Sequence, residues 1–436
     1  MKTRILHDIE VTGVALVKHP LPGQEFHVMD KSTNPNRNDS LAPLEKPFMS
    51  TACPAPYKVI EGKGATIVCE RIDTGQVASL IDIWGDSCVT SLGHSHPLIV
   101  DAIKAHLRCN GPLHVSATLH EPTRTRYASK LVDAQLMDRV FLSTSGAHAV
   151  DTAIKIARLY QHKRGKNKST IISPVGSFHG MVGFSWAATD DSKTPYHKAG
   201  MGPYPDCFGH FRFDEMDRWG DEVAAVLMSP VLSTDVMDFS HLDHLEQVRK
   251  WCDAHEALLI YDEVQVGMGR LGKPAAWQLV GDAAKPDLVT IAKGLAGGLP
   301  MAACLAHGDV ADTFEPGHHW STFGGNILAC VTAEVVLDWV VENCSKSNIT
   351  KRGAKVQERL KAIPWVKSVD GRGLHIIFQP DWDKLGMDGF ELMSKSWDAG
   401  LMMITYRRHG AIRFTPPLAI SDEELDMAFM ALESIS

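Results

Sequence analysis

The strongest constraint on the fold lies in the middle of the chain, where short apolar runs without polar alternation are separated by segments of helical period. The runs are residues 139–143, 170–173, 223–228, 258–261, 288–292 and 301–306. A strand with one face in water alternates apolar and polar residues, and a strand buried on both faces does not. These runs therefore predict an α/β architecture in which helices cover both faces of a mainly parallel sheet. The intervening segments agree. Residues 147–160 place Ala149, Ala153, Ile156, Ala157 and Tyr160 on one helical face, and residues 241–256 do the same with Leu242, Leu245, Val248 and Cys252.

On either side the pattern changes. Residues 31–48 are rich in Asn, Pro and Ser, which predicts an irregular N-terminal arm over 1–50. Residues 57–83 carry short apolar runs broken by Gly62, Gly64 and Gly75, the pattern of a small antiparallel unit. Beyond residue 330, helices are predicted over 331–341 and 355–360, and strands over 373–378, 404–406 and 412–414. A last helix over 421–432 opens with Ser421 and Glu424 in capping-box spacing. The expected division is thus a large domain over 88–330 and a small α+β domain assembled from 51–87 and 331–436.

Composition narrows the function. Lys and Arg number 44 against 52 Asp and Glu, a net charge of −8 with no block of like charge, so the basic face that a nucleic-acid partner requires is not expected. Nine cysteines in 436 residues form no CxxC pair, which argues against a disulfide framework or zinc module and for a reducing cytoplasm. No stretch approaches the ~20 apolar residues that span a bilayer. The apolar stretch 11–17 follows Asp8 and Glu10 rather than a basic region, so it does not read as a signal peptide. The expectation is a soluble protein that acts on small molecules.

In open α/β sheets, ligands sit beyond the carboxyl ends of the strands. Thr144-Ser145-Gly146-Ala147 follows one strand and opens a helix, where free amides and the helix dipole suit a phosphate. Phe178-His179-Gly180 follows another. Asp262 ends the run 258–261, ahead of Glu263-Val264-Gln265, and Lys293 follows 288–292. A phosphate cradle, a flat aromatic, a carboxylate for a ring nitrogen and a lysine for a Schiff base are what pyridoxal 5′-phosphate (PLP) needs.

At this point the motifs also resemble a known family. Tyr261-Asp262-Glu263-Val264-Gln265 and the stretch around Ala292-Lys293-Gly294 are similar to the signature of the class III aminotransferases, the ornithine and acetylornithine aminotransferase group. Gly93-His94-Ser95-His96-Pro97, Ser145-Gly146-Ala147, Phe178-His179-Gly180, Ser321-Thr322-Phe323-Gly324 and Arg413-Phe414-Thr415-Pro416 extend the resemblance, in order, to the C-terminus. It implies the PLP-dependent transferase fold type I, a PLP-binding large domain, and a homodimer with the active site at the subunit interface. It also implies a reaction that moves an amino group between an amino donor and a 2-oxo acid.

Residue by residue, the resemblance makes Lys293 the aldimine lysine and proton carrier, and Asp262 the partner of the pyridine nitrogen. Gln265 would hydrogen-bond the phenolic oxygen, and Val264 would press on the ring face opposite Phe178. Ser145, Gly146 and Ala147 would hold the phosphate, and Thr322 would reach the phosphate of the neighbouring subunit. Arg413 would clamp the substrate carboxylate, a task that suits the guanidinium fork. Cys88 falls on the pocket wall. His179 either shapes the pocket or is satisfied within its turn. Arg270 reads as structural, joined to the loop after Asp262. The pairs His94/His96 and His318/His319 lack a third ligand at metal-site spacing, so no metal is expected.

Two departures stand out. Family members commonly carry Glu-Pro after the strand that is 223–228 here, and this chain has Ser229-Pro230. His148 stands where Glu is usual, on the first turn of the phosphate helix, and a cation there opposes the helix dipole, so the ring is expected to be neutral or turned outward. Decarboxylases, racemases or epimerases and aminomutases use the same scaffold and form the rival reading. A non-catalytic PLP-binding relative is a third, which the intact Lys293, Asp262 and Arg413 oppose.

Overall fold

In the computed structural model, the described residues are 57–190, 198, 200–233, 237–405 and 409–435. The predicted arm over 1–50, the start of the small domain at 51–56 and the predicted strand residue Tyr406 lie outside them.

The chain enters through an antiparallel unit of β1 (Tyr57–Lys63), β2 (Thr66–Arg71) and β3 (Val77–Asp82). β2 shows the alternation of a half-buried sheet, with Ile67 and Cys69 inside. Then come helices α1 (Pro97–Arg108) and α2 (Pro122–Gln135).

The large sheet follows: β4 (Arg139–Ser143), β5 (Thr170–Pro174), β6 (Phe208–Phe211), β7 (Val223–Met228), the short hairpin β8 (Leu232–Ser233) and β9 (Met237–Asp238) to one side, β10 (Leu258–Asp262), β11 (Leu288–Ile291) and β12 (Ala302–Ala306). Its strand order is β4-β12-β11-β10-β7-β5-β6. β12 pairs antiparallel with both neighbours and the other pairings are parallel, so six strands point their carboxyl ends to one edge. β7, β10, β11 and β12 are buried along their whole length, which is why their sequences do not alternate. Helix α3 (Gly146–Lys163) lays Ala149, Val150, Ala153, Ile154 and Ala157 on this sheet, with Tyr160 at the edge of the cluster. Helix α4 (His241–Ala254) buries Leu245, Val248 and Cys252.

β6 has no counterpart in the sequence reading, because Gly209 looks like a breaker. In the fold the Trp219 ring lies where a Cβ on Gly209 would stand, 2.1 Å away, so the strand needs a glycine there.

The last third begins with α5 (Ile327–Ser345) and α6 (Asn348–Ala362). It continues with β13 (Val366–Arg372), β14 (His375–Pro380), β15 (Leu401–Met402), β16 (Ile412–Phe414) and α7 (Asp422–Ser434). β13, β14 and β16 form one antiparallel sheet. The polar edge strand β13 escapes the sequence reading, and β14 starts at His375 rather than residue 373. Gly373 makes the turn between them at φ +55, where a Cβ would meet the Arg270 carbonyl at 2.4 Å. The strand expected over 404–406 is instead β15, which pairs parallel with β3 and stops where β3 stops, at Met402 opposite Asp82.

The two ends of the described chain meet. Ser421 caps α7 through the predicted capping box, and the Glu424 carboxylate also accepts from Ala65 N at 2.6 Å and Thr66 Oγ1 at 3.3 Å in the β1–β2 turn. Among the described residues, no helix is long and apolar enough to cross a membrane.

Candidate active site

A cavity of about 420 Å³ opens at the carboxyl edge of the large sheet. Its wall contains Ser145, Gly146, Ala147, Phe178, His179 and Ser229, together with Asp262, Val264, Gln265 and Lys293. Parallel strands bring these residues together, since each follows a strand that points the same way.

Lys293 follows β11 with its backbone at φ +45, in the left-handed region that non-glycine residues occupy at a cost of ~1–3 kcal/mol. Its Nζ donates to Gln265 Oε1 at 3.0 Å. Burial holds the ammonium below its ordinary value, with the Arg413 charge adding in the same direction, while Cys88, Asp262 and Asp86 oppose. The neutral amine is the form that attacks a carbonyl carbon, and a lowered pKa favours it.

Asp262 ends β10 and is 5% exposed. Its Oδ2 lies 2.8 Å from His179 Nδ1, and its Oδ1 accepts from Val264 N at 3.1 Å and Thr290 Oγ1 at 3.4 Å. His179 is therefore tied into the site rather than satisfied within its turn alone, and its Nε2 is buried without a hydrogen-bond partner. Glu263, next in sequence, is fully buried and has another task. Its carboxylate accepts from Ala276 N at 2.6 Å and Trp277 N at 2.9 Å, and burial pushes its carboxyl up to about 7.

At the other end of the cavity, Ser145 caps α3 by accepting from His148 N at 3.3 Å. The first amides of α3 have no carbonyl within the helix to receive them, so Gly146 and Ala147 offer donors at the positive end of the helix dipole. A Cβ on Gly146 would stand 2.8 Å from Val264, and one on Gly180 would stand 2.8 Å from the Ala147 Cβ, so glycines keep this floor open. The His148 ring packs against Phe141 and His319, and burial lowers its pKa, so the neutral form sits at the helix start.

The expected PLP contacts fit this arrangement. Gln265 retains a buried Nε2 without a partner, a spare donor beside Lys293, and Asp262 and Lys293 line the same cavity as Val264 and Gln265. Phe178 sits at the cavity edge, 48% exposed.

Three expected residues lie off the cavity wall of the single chain. Thr322 is exposed outside it. Arg413, on β16, lies within electrostatic reach of Lys293. Cys88 is buried with its carbonyl 3.0 Å from where a Cβ on Gly294 would stand, and Val89 lines the cavity in its place. Arg270 is buried, and its guanidinium donates to the carbonyls of Leu374 at 3.2 Å and Pro416 at 2.5 Å rather than to the loop after Asp262. The sequence reading did not find Val89 or the wall formed by Gly298, Leu299, Pro300 and Met301. Gly297-Gly298 after Lys293 was the one signal that pointed there.

The family model for aminotransferase class-III matches residues 53–435. The acetylornithine aminotransferase of Caldanaerobacter subterraneus subsp. tengcongensis is 32% identical over 400 residues, 90% of this chain and 97% of that protein. That of Aquifex aeolicus is 34% identical over 393 residues, 89% and 99% of the two chains. Among solved structures, an ornithine aminotransferase from Toxoplasma gondii with partial occupancy of PLP at its active site superposes with a TM-score of 0.78 at 25% identity, covering 90% of this chain and 92% of that one.

Proposed function

Because this chain belongs to the class-III aminotransferases, which are PLP-dependent enzymes, we propose a specific division of labour in its site. Lys293 holds the cofactor and moves the proton on the reacting carbon, a role supported by its burial, its lowered pKa and its hydrogen bond to Gln265. Asp262, oriented by His179, Val264 N and Thr290, holds the cofactor's ring nitrogen protonated. Gln265 donates from Nε2 to the phenolic oxygen. Val264 and Phe178 flank the ring, and Ser145, Gly146 and Ala147 receive the phosphate. When bound, PLP supplies an electron sink for the pair released as the proton leaves the substrate carbon. Arg413 receives the substrate carboxylate, and a 2-oxo acid completes the exchange.

We further propose that the protein works as a homodimer. Phe178, Met181, Val182, Trp320 and Phe323 are large apolar residues between 48% and 67% exposed in the single chain, and Thr322 stands among them. Apolar surface of this kind marks an interaction site. The small domain is read as 51–87 with 331–436, its described parts joined through Glu424, against a large domain over 88–330. The eight cysteines among the described residues are unpaired, which supports a reducing, cytoplasmic setting.

The observation that carries the reading is Lys293, half-buried and hydrogen-bonded to Gln265 on the wall of the cavity that Asp262 and Gly146 also line. With PLP added and no acceptor, wild-type protein should convert one equivalent of amino donor to oxo product per site, and Lys293→Ala none. Sustained turnover by Lys293→Ala would refute the assignment.

A further inference from the structure

The loop that carries Phe178 and His179 into the cavity is held from outside itself. β5 ends at Pro174, and the chain turns through Gly176 at φ +86 and Gly180 at φ +132 before a short helix, Gly183–Ala188. Within the loop, Ser177 N donates to Pro174 O at 3.1 Å. Further bonds of its backbone run to Thr189 and Asp190, the two residues after that helix. Asp190 holds the near end: its Oδ2 accepts from Gly176 N at 2.6 Å, and its amide donates to Ser177 O at 2.8 Å. Thr189 holds the far end, where its Oγ1 accepts from His179 N at 2.9 Å. The same hydroxyl shares its proton between the carbonyls of Gly180 and Ser185, each 3.0 Å away.

Among the described residues the His179 amide has no other acceptor, and both partners are buried, His179 and Thr189 each 3% exposed. What this bond places is the imidazole. His179 Nδ1 lies 2.8 Å from Asp262 Oδ2, while the other oxygen, Oδ1, accepts from Val264 N and Thr290 Oγ1. Oδ2 thus takes its direction from His179, and His179 takes its height from Thr189. Gly180 has a second restraint: a Cβ there would stand 2.8 Å from the Ala147 Cβ and 2.6 Å from Ser185 Oγ, so it is wedged against α3 with or without the hydroxyl. Thr189 is itself pinned, its amide on Trp186 O at 3.3 Å and its carbonyl under the Lys198 ammonium.

We propose that Thr189 is a positioning residue for the cofactor: its hydroxyl, through the backbone and ring of His179, fixes the direction in which Asp262 Oδ2 meets the ring nitrogen. This rests on the PLP-dependent reading of the site. Without the hydroxyl, a buried amide is left with no acceptor, and the cost of that is relieved when the His179 backbone moves toward another partner. Such a shift carries Nδ1 away from Asp262, and a carboxylate that has lost one of its fixed contacts holds the ring less well.

The test titrates the full-length protein with PLP and reads its dissociation constant from the absorbance of the bound cofactor. Thr189→Val keeps the shape of the side chain and removes the hydroxyl, and should weaken PLP binding about tenfold, the size of one hydrogen bond to a buried donor. Thr189→Ser keeps the hydroxyl and should lie within about twofold of wild type. In a His179→Ala background, Thr189→Val should change the constant by less than about twofold, because the ring through which it acts is gone. A residue that merely supports the fold would show its full loss in both backgrounds. If Thr189→Val does not fold, Thr189→Cys, whose thiol is a weak acceptor, carries the same comparison. Undiminished affinity in the variant without the hydroxyl, no recovery in Thr189→Ser, or equal losses with and without the His179 ring would each overturn the assignment of Thr189. Wild-type protein that binds no PLP would overturn the PLP-dependent reading itself, and the proposal with it.

Discussion

The left-handed turn that follows β3 gives a prediction whose size comes from the structure. Three non-glycine residues, Asp86, Ser87 and Cys88, sit at positive φ, which costs together ~3–6 kcal/mol. Asp82 is the main anchor against that strain, with the amides of Trp84 and Gly85 and the His94 imidazole on a carboxylate that is 0% exposed. Hydrogen bonds to a charged acceptor contribute ~1.5–3 kcal/mol each, roughly twice a neutral one. Asp82→Asn keeps one oxygen for the two amides, removes the charge and turns an NH₂ toward His94. Its expected cost is ~2–4 kcal/mol, or a fall of about 2–4 °C in the thermal midpoint for a chain of this size. Thermal unfolding followed by circular dichroism measures it. The cost should shrink in a Ser87→Gly background, where one residue of strain is gone, and Ser87→Gly alone should not lower the midpoint. An Asp82→Asn protein within about 1 °C of wild type, or one whose loss is unchanged by Ser87→Gly, would refute the claim that this carboxylate holds the turn.

Two further predictions concern buried charge. Burial lowers Lys293, so without cofactor the unfolded chain binds more protons at this site than the folded one between the lowered value and 10.5. Stability should therefore rise with pH across that window, and cofactor-free Lys293→Met should be more stable than wild type near neutral pH, by a margin that narrows toward pH 10.5. Glu263 has the opposite sign: its carboxyl is raised from 4.5 to about 7, so the folded state holds the proton more tightly and stability from this group falls as pH rises from 4.5 through 7. Glu263→Gln does not titrate and keeps an acceptor for one of the two amides, Ala276 N or Trp277 N, and should flatten that part of the stability profile in chemical denaturation.

Much of the site was legible because a parallel sheet turns sequence position into spatial position. Lys293, Asp262, His179 and Gly146 each lie at or just beyond the end of a strand, and strands that run the same way deliver such residues to one edge. Val89 and the segment 298–301 were not legible, since apolar residues in loops carry no period. The turn at Asp86 was hidden for a related reason. An aspartate in a loop looks like solvated surface, and nothing in its neighbours announces three successive left-handed residues. Cys88 illustrates the same limit: its position near the site could be read, but a backbone turn packs its carbonyl on Gly294 and leaves Val89 on the cavity wall.

The sequence by itself determined six of the seven strands of the large sheet, the helices that cover it and the residues at its carboxyl edge, because strand burial and helix period are written into local spacing. Tertiary structure alone decided the rest. Gly373 turns where the Arg270 carbonyl leaves no room, β15 ends where β3 ends, and Glu424 reaches across 359 residues of chain to the amide of Ala65. The left-handed turn after β3 is of this second kind. It is clamped between Gly294 at a strand end of the large sheet and Thr415 near the C-terminus, and no local pattern encodes a contact among three such distant segments.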